Sequence, residues 1–372
     1  MLSSRPIPTN RNNPCPICQD TKSNCRILED ETIFCHGFAS SSKGEQINGY
    51  VCVKPANGHT ATFKPYNSEE WREEKRQEWL EERKFEKQRK VYKQQEKLKN
   101  LLPIDKRNTG YRRIIVKLNL SLPHIIQLKE KRGLSSQEID IAYQLGWLRT
   151  WNRGLEVDVS TKLAGVAPGT HKLVGGHGLA IAATDGNHKI TGFQIASDNR
   201  ENFAKYYWLS SEKYGGNSPH LPNGELPLFI WRHPQAKEIN EVWLVEGALK
   251  SLITALKLWL RNNCTDVMVI GAAGGNFAGS KETLKHALQG TNCKTIKLQP
   301  DAGAVANPHI TGHYRRIINS LVSDGYKCTA GWWGQSTKDF PDIDELESFS
   351  NITYLSTKQF KELCINWLGI KY

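Results

Sequence analysis

The stretch EVWLVEGALKSLITALKLWL, residues 241–260, carries the reading of the whole chain. Val242, Trp243, Leu244 and Val245 form an unbroken apolar run, the pattern of a strand buried on both faces. Leu249, Leu252, Ile253 and Leu256 then repeat at helical spacing. Between the two stand Glu246 and Gly247. A carboxylate at the joint of two buried elements is costly to desolvate unless a cation or ligand compensates it. The joint is therefore a candidate site.

Downstream, strands and helices keep alternating. DVMVIG (266–271) leads into a glycine-rich loop and a helix, and KTIKLQP (294–300) into a helix running through Arg315 to Leu321. YKCTAGWW (326–333) then leads into the acidic turn KDFPDIDEL (338–346). This order predicts an α/β fold with a parallel sheet flanked by helices. In such sheets ligands gather at the carboxyl ends of the strands. Glu246 ends the first strand, Asp301 follows the third, and Asp342 and Asp344 share a face of the acidic turn if it is extended. Carboxylates brought together repel unless something cancels their charge. Oxygen-only ligands at a sheet edge suit Mg²⁺ or Mn²⁺. Gly247 would let a phosphate-bearing substrate approach the backbone. GGNFAGSK (274–281) lacks the Gly-Lys-Ser/Thr ending of a phosphate loop, so no ATPase motor is expected.

Upstream, residues 177–232 turn β-rich, and GLAIAATDGNHKITGFQIA (178–196) reads as two alternating strands around an Asp185-Gly186 turn. Residues 111–145 read as two or three short helices, one opening at a serine cap and closing before Gly146. Residues 68–99 hold neither Gly nor Pro and are mostly charged, which predicts a long solvated helix supported by pairs such as Glu86 with Lys90. Five of the nine cysteines, Cys15, Cys18, Cys25, Cys35 and Cys52, fall in the first 52 residues. CPIC (15–18) makes a knuckle, and Cys25 and Cys35 complete a tetrahedral set for structural Zn²⁺, with His36 or Cys52 as possible substitutes for one ligand. The expected organisation is a zinc-binding module (1–66), a charged linker helix (67–100) and a helical segment (101–176). A β-rich subdomain (177–236), the sheet domain (237–347) and a helical tail (348–372) follow.

A formal charge of +12 is compatible with a polyanionic partner. Lys189, Arg200, Lys205, Arg232 and Lys250 are candidates for phosphate contact, and Tyr206, Tyr207 and Trp208 for base stacking or for the core. His309 and His313 stand at helical i,i+4 spacing. No apolar run reaches the roughly 18 residues of a membrane span and the first residues lack a signal-peptide core, so a cytoplasmic protein is expected.

VWLVEGALKS, VIGAAGGNF, LQPDAGA and KDFPDIDEL, in that order, resemble the TOPRIM domain of DnaG-type bacterial primases, a domain shared with topoisomerases and some nucleases. GNHKITGFQIASDNRENFAKYYWLSS (186–211) resembles the strand-rich subdomain that precedes TOPRIM there, including its lysine-tyrosine pair, here Lys205-Tyr206. The cysteine cluster resembles the zinc module of the same primases. The resemblance implies a Rossmann-like sheet and a nucleotidyltransferase that makes primers on single-stranded DNA from ribonucleoside triphosphates. It implies Mg²⁺ or Mn²⁺ held by Glu246, Asp301, Asp342 and Asp344, and a separate replicative helicase as partner, in plasmid, phage or mobile-element replication. Two positions depart from the family. Gly303 stands where a second middle aspartate is usual, and Ala196 where an arginine is usual. The rival expectations are a TOPRIM nuclease and a non-catalytic single-strand-binding replication factor.

Overall fold

A computed structural model describes residues 6–56, 59–66 and 98–368 and scattered positions between 81 and 96, the side chains of 308, 309 and 365–368 excepted. The expected charged linker helix, with Glu86 and Lys90, falls largely outside the described residues. Among the described residues no helix is long and apolar enough to cross a membrane. The chain divides into two compact units, Met1–Lys93 and Gln94–Tyr372.

The first unit is a small antiparallel sheet of β1 (Ile7–Pro8), β2 (Arg26–Ile27), β3 (Ile33–Cys35), β4 (Gln46–Ile47), β5 (Tyr50–Lys54) and β6 (Ala61–Pro65), in the order β1-β2-β3-β6-β5-β4. Its core consists of Ile17, Ile33, Ala61 and Phe63 together with four buried cysteines. So few apolar side chains do not form a self-sufficient core, and the unit needs a further cross-link.

The second unit begins with three helices, α1 (Ile104–Ile115), α2 (Leu122–Glu130) and α3 (Ser136–Gln144). At the predicted serine cap, Ser135 accepts from the Glu138 amide while Glu138 accepts from the Ser135 amide, a closed capping box. A four-stranded antiparallel sheet follows, β7 (Leu148–Trp151), β8 (Gly178–Thr184), β9 (Ile190–Ser197) and β10 (Tyr206–Trp208), in the order β10-β9-β8-β7. The expected hairpin turn is present, with Asp185 accepting from the Asn187 and Lys189 amides. Its strands do not present one polar face, however. Leu179, Ile181 and Ala183 pack into one core and Ala180 and Ala182 into another, against Tyr111 and Ile114 of α1. Small alanines let the second face be covered, which an alternation pattern does not reveal.

The main sheet contains β11 (Phe229–Trp231), β12 (Glu241–Glu246), β13 (Val267–Ala272), β14 (Thr295–Gln299), β15 (Lys327–Trp332) and β16 (Thr353–Ser356). Its order is β11-β13-β12-β14-β15-β16. The four central strands are parallel, as alternation predicts. Both edges are antiparallel, which corrects the expectation of an all-parallel sheet. β11 comes from the preceding β-rich segment, and β16 opens the tail that reads as purely helical. Each edge strand is too short for periodicity to announce it; backbone pairing with a neighbour forms it. Helix α7 (Thr357–Leu368) follows β16.

Helix α4 (Ala248–Arg261) explains the apolar run at 248–259. It is buried on nearly every side because it lies between the main sheet, including β11, and β8 of the four-stranded sheet, within one continuous core. On the opposite face of the main sheet, α5 (Lys281–Gln289) and α6 (Pro308–Ser323) cover Val242, Leu244 and Ile270 with Leu284, Leu288, Ile317 and Leu321. Alternate residues of β12 thus serve two cores, Trp243 and Val245 one, Val242 and Leu244 the other.

The approach of α4 to β13 requires Gly271. A Cβ there would clash with the Ser251 side chain and lie 2.7 Å from the Gly247 carbonyl oxygen. Gly271→Ala should cost about 1–3 kcal/mol through overpacking, read as a lowered denaturant midpoint with an unchanged slope.

Candidate functional site

Two constellations stand out, one in each unit. In the first unit the ligand atoms of Cys15, Cys18, Cys25 and Cys35 all lie within 4.8 Å of one another. Asp20 shapes the knuckle by accepting from the Thr9 hydroxyl (2.6 Å) and from the amides of Lys22, Asn24 and Cys25. These bonds hold its carboxyl well below the usual carboxylate range, the Thr9 hydroxyl contributing most. Gly37 passes so close that a Cβ would lie 2.6 Å from Cys18 Cβ. Burial, with the neighbouring thiols, pushes Cys25 up to about 12 and raises Cys35 as well. Four adjoining thiolates therefore need a cation, and four sulfurs converging from a knuckle fit tetrahedral Zn²⁺. Neither suggested substitute joins them. Cys52 Sγ points to the Ser41 carbonyl at 3.9 Å, and the His36 ring stacks on His59 while its amide donates to Cys25 Sγ.

The second constellation lies at the carboxyl edge of the main sheet. Glu246 is the last residue of β12, and Gly247 (φ 85°) turns the chain into α4 while its amide donates to the Ala272 carbonyl at 2.8 Å. Asp301 follows the adjacent strand β14 and is 5% exposed. Asp342 caps the short turn Ile343–Glu345, and its Oδ1 accepts from the Ala302 amide at 2.9 Å. Lys250, on the first turn of α4, puts its Nζ against Asp301 Oδ2 and 2.7 Å from Asp342 Oδ2. Asp301 Oδ1 is buried without a hydrogen-bond partner. Among the described residues no three acidic groups converge within 4.8 Å. The edge joins its carboxylates through a lysine instead.

The electrostatics follow from this arrangement. Burial opposes the charge of Lys250, but Asp301 and Asp342 outweigh it and raise its pKa. For Asp301, burial together with repulsion from Glu246 and Asp342 outweighs the pull of Lys250 and moves the carboxyl up to about 6. Asp342 is also penalised by burial, yet Lys250 and the Ala302 amide lower it. Asp344, though in the same turn, faces elsewhere. It is 1% exposed, with Oδ2 3.2 Å from an Arg132 guanidinium nitrogen, and burial pushes it up to about 6 despite Arg132. Its backbone carbonyl and that of Leu346 accept from the buried ammonium of Lys257, at 2.6 and 3.1 Å.

Sequence reasoning missed Lys257, Arg132 and Tyr314. Tyr314 of α6 lines a cavity of about 110 Å³ with Glu246, Gly274, Gly275, Ile310 and His313. Its hydroxyl is buried without a hydrogen-bond partner, and burial, then Asp301 and Glu246, raises its pKa well above the ordinary value. It therefore stays protonated and able to donate. Gly303 takes φ 73°, and a Cβ there would lie 3.2 Å from the Lys338 amide nitrogen, so close backbone approach favours glycine at that departure. His313 faces the cavity with Glu246, while the side chain of His309 lies outside the described residues.

The remaining candidates divide. Lys189 is held by Asp105 at 2.6 Å, and Arg232 donates to the Ala236 and Lys237 carbonyls beside a separate cavity of about 560 Å³ near the amino ends of β12 and β13. Arg200 and Lys205 are exposed, the latter 5.7 Å from the Tyr206 ring. Tyr207 hydrogen-bonds Gly176 and stacks on Phe203, and Trp208 stacks on Phe229, so these two aromatics pack rather than display their faces. Part of the basic surplus is internal as well, since Arg107, Arg112 and Arg149 bury their guanidinium groups on backbone carbonyls.

No protein-family model matches the sequence, and no curated protein does. Among solved structures the chain is similar to a DNA primase domain from Pseudomonas aeruginosa, with TM-score 0.46, 14% identity, and 69% of this chain and 77% of that one covered. It is also similar to the zinc-binding and RNA polymerase domains of the Aquifex aeolicus primase, with TM-score 0.43 and 13% identity; the match spans 71% of this chain and 62% of that one.

Two measurements check these contacts. Cys25→Ser should release the metal and unfold the first unit, because such sites contribute on the order of 10 kcal/mol to folding; zinc content and circular dichroism report it. Lys257→Met keeps the bulk but strips two buried carbonyls of their donor, at about 1–3 kcal/mol each. Denaturation should register the loss, and hydrogen exchange should quicken across residues 342–347.

Proposed function

We propose that the chain is a DnaG-type primase, a nucleotidyltransferase that makes short primers on single-stranded DNA, with the main sheet acting as a TOPRIM domain. The observation that carries this reading is the delivery of Glu246, Asp301 and Asp342, from three separate segments, to the carboxyl ends of the parallel strands at the centre of one sheet. Ligands of open α/β sheets bind at that edge. The order of the sequence motifs, from the cysteine module to the acidic turn, supports the same reading.

Glu246 and the unpartnered Asp301 Oδ1 are suited to hold Mg²⁺ or Mn²⁺. When bound, such an ion lowers the charge on a triphosphate and eases loss of pyrophosphate. Lys250 keeps Asp301 and Asp342 together and offers a cation beside the phosphates. Tyr314 donates to an oxygen in the cavity against Glu246. Asp344, paired with Arg132, fixes the acidic turn rather than touching the reacting groups. Arg200 and Lys205, both exposed, are proposed to meet template or nucleotide phosphate, with Tyr206 beside them. The zinc unit is proposed to engage the single strand, and a separate helicase to open the duplex.

The test is ribonucleotide incorporation on single-stranded DNA with Mg²⁺ or Mn²⁺. Glu246→Gln should lower product yield by about 100-fold or more, the scale of losing one preorganised electrostatic group. Equal yields from wild type and variant would reject the assignment of Glu246. Metal-dependent nicking of plasmid without incorporation would point to a nuclease instead, and EDTA-resistant strand binding without either activity to a binding factor.

A further inference from the structure

We infer that the acidic edge takes a single divalent cation, on Glu246 and Asp301, and that the ammonium of Lys250 fills the place a second ion would need. This rests on the proposed metal-dependent reading of the same edge. The argument is an inventory of oxygen atoms and of charge.

Both oxygens of Asp342 are already engaged, Oδ1 by the Ala302 amide at 2.9 Å and Oδ2 by Lys250 at 2.7 Å, so an ion bridging Asp301 and Asp342 would have to displace the ammonium. Asp301 gives Oδ2 to Lys250 and keeps Oδ1, which is buried and unpartnered. Asp344 gives Oδ2 to Arg132 at 3.2 Å; its Oδ1 is also unpartnered, but that carboxylate is already neutralised by the guanidinium. Two aspartates that would bracket a second ion, Asp301 and Asp342, thus bracket Lys250 instead. Gly303 offers no further carboxylate.

Charge gives the same answer. With the Asp344 turn balanced by its own partners, Arg132 among them, the three carboxylates of Glu246, Asp301 and Asp342 share one side-chain cation, Lys250. Two negative charges are left over, the charge of one divalent ion. A second ion would make the buried edge net positive and would have to lie beside an ammonium, a repulsion that low-dielectric surroundings magnify. A separate observation indicates that the space against Glu246 takes an oxygen-bearing ligand. The Tyr314 hydroxyl, on a residue 5% exposed, lines that cavity with no partner of its own. Its proton is available to water or a phosphate oxygen carried by the ion.

The experiment counts tight Mn²⁺ sites on the zinc-loaded full chain by electron paramagnetic resonance titration, for wild type, Lys250→Ala and Asp301→Asn. Primer synthesis is assayed in parallel. One site in wild type, none in Asp301→Asn and two in Lys250→Ala is the expected result. Two sites in wild type overturn the inference, and they leave the primase reading intact if primers are made. One site in both wild type and Lys250→Ala overturns the role given to the lysine. No site in wild type overturns the inference; primer synthesis then decides separately whether the functional reading survives. The wild-type count holds its force even if Lys250→Ala fails to fold.

Discussion

A half-buried lysine ammonium held between two carboxylates is the contact on which the acidic edge depends. Without Lys250, Asp301 and Asp342 would confront each other in a site with little water, where like charges do not stay ionised together. With it, both acids are held in fixed positions by segments that lie 41 residues apart in the chain. Lys250 can do this because it sits on the first turn of α4, immediately beyond Glu246 and the left-handed turn at Gly247. One short stretch therefore supplies an acid, the turn that exposes it, and the cation that organises its neighbours.

The same helix fastens the acidic turn a second time. Lys257, two turns further along α4, donates to the carbonyls of Asp344 and Leu346, and Arg261 binds Glu138 of α3 through two nitrogens. Residues seven and four apart lie close to one face of a helix, so α4 presents a cationic ridge to the turn while its other faces are apolar. Buried cations are tolerated only where every donor finds an acceptor, and here backbone carbonyls and carboxylates provide them. The helix is at once the centre of the core and the scaffold of the site.

The cysteine unit follows a different physical logic. It has a handful of buried apolar side chains and four thiols in contact range, so its order depends on a bound cation more than on burial. Asp20 shapes the knuckle by accepting from the backbone amides of Asn24 and Cys25.

The alternating order of strands and helices, the joint at Glu246, the serine cap at Ser135 and the four-cysteine set were legible in the sequence, because each is a local pattern with its own period or spacing. The positions of Glu246 and Asp301 directly at the ends of strands were legible for the same reason, since chain order in an α/β fold dictates which loops follow strands. What tertiary structure decided is who contacts whom. Asp342 and Asp344 are two residues apart, yet a turn of 3₁₀ helix sends one to Lys250 and the other to Arg132. The antiparallel edges β11 and β16 exist through pairing alone, and Tyr314 reaches Glu246 from a helix 68 residues further on. Such contacts join residues distant in the chain, and no local period encodes them. They arise only when two cores close on either face of one sheet and force particular side chains into the same buried space.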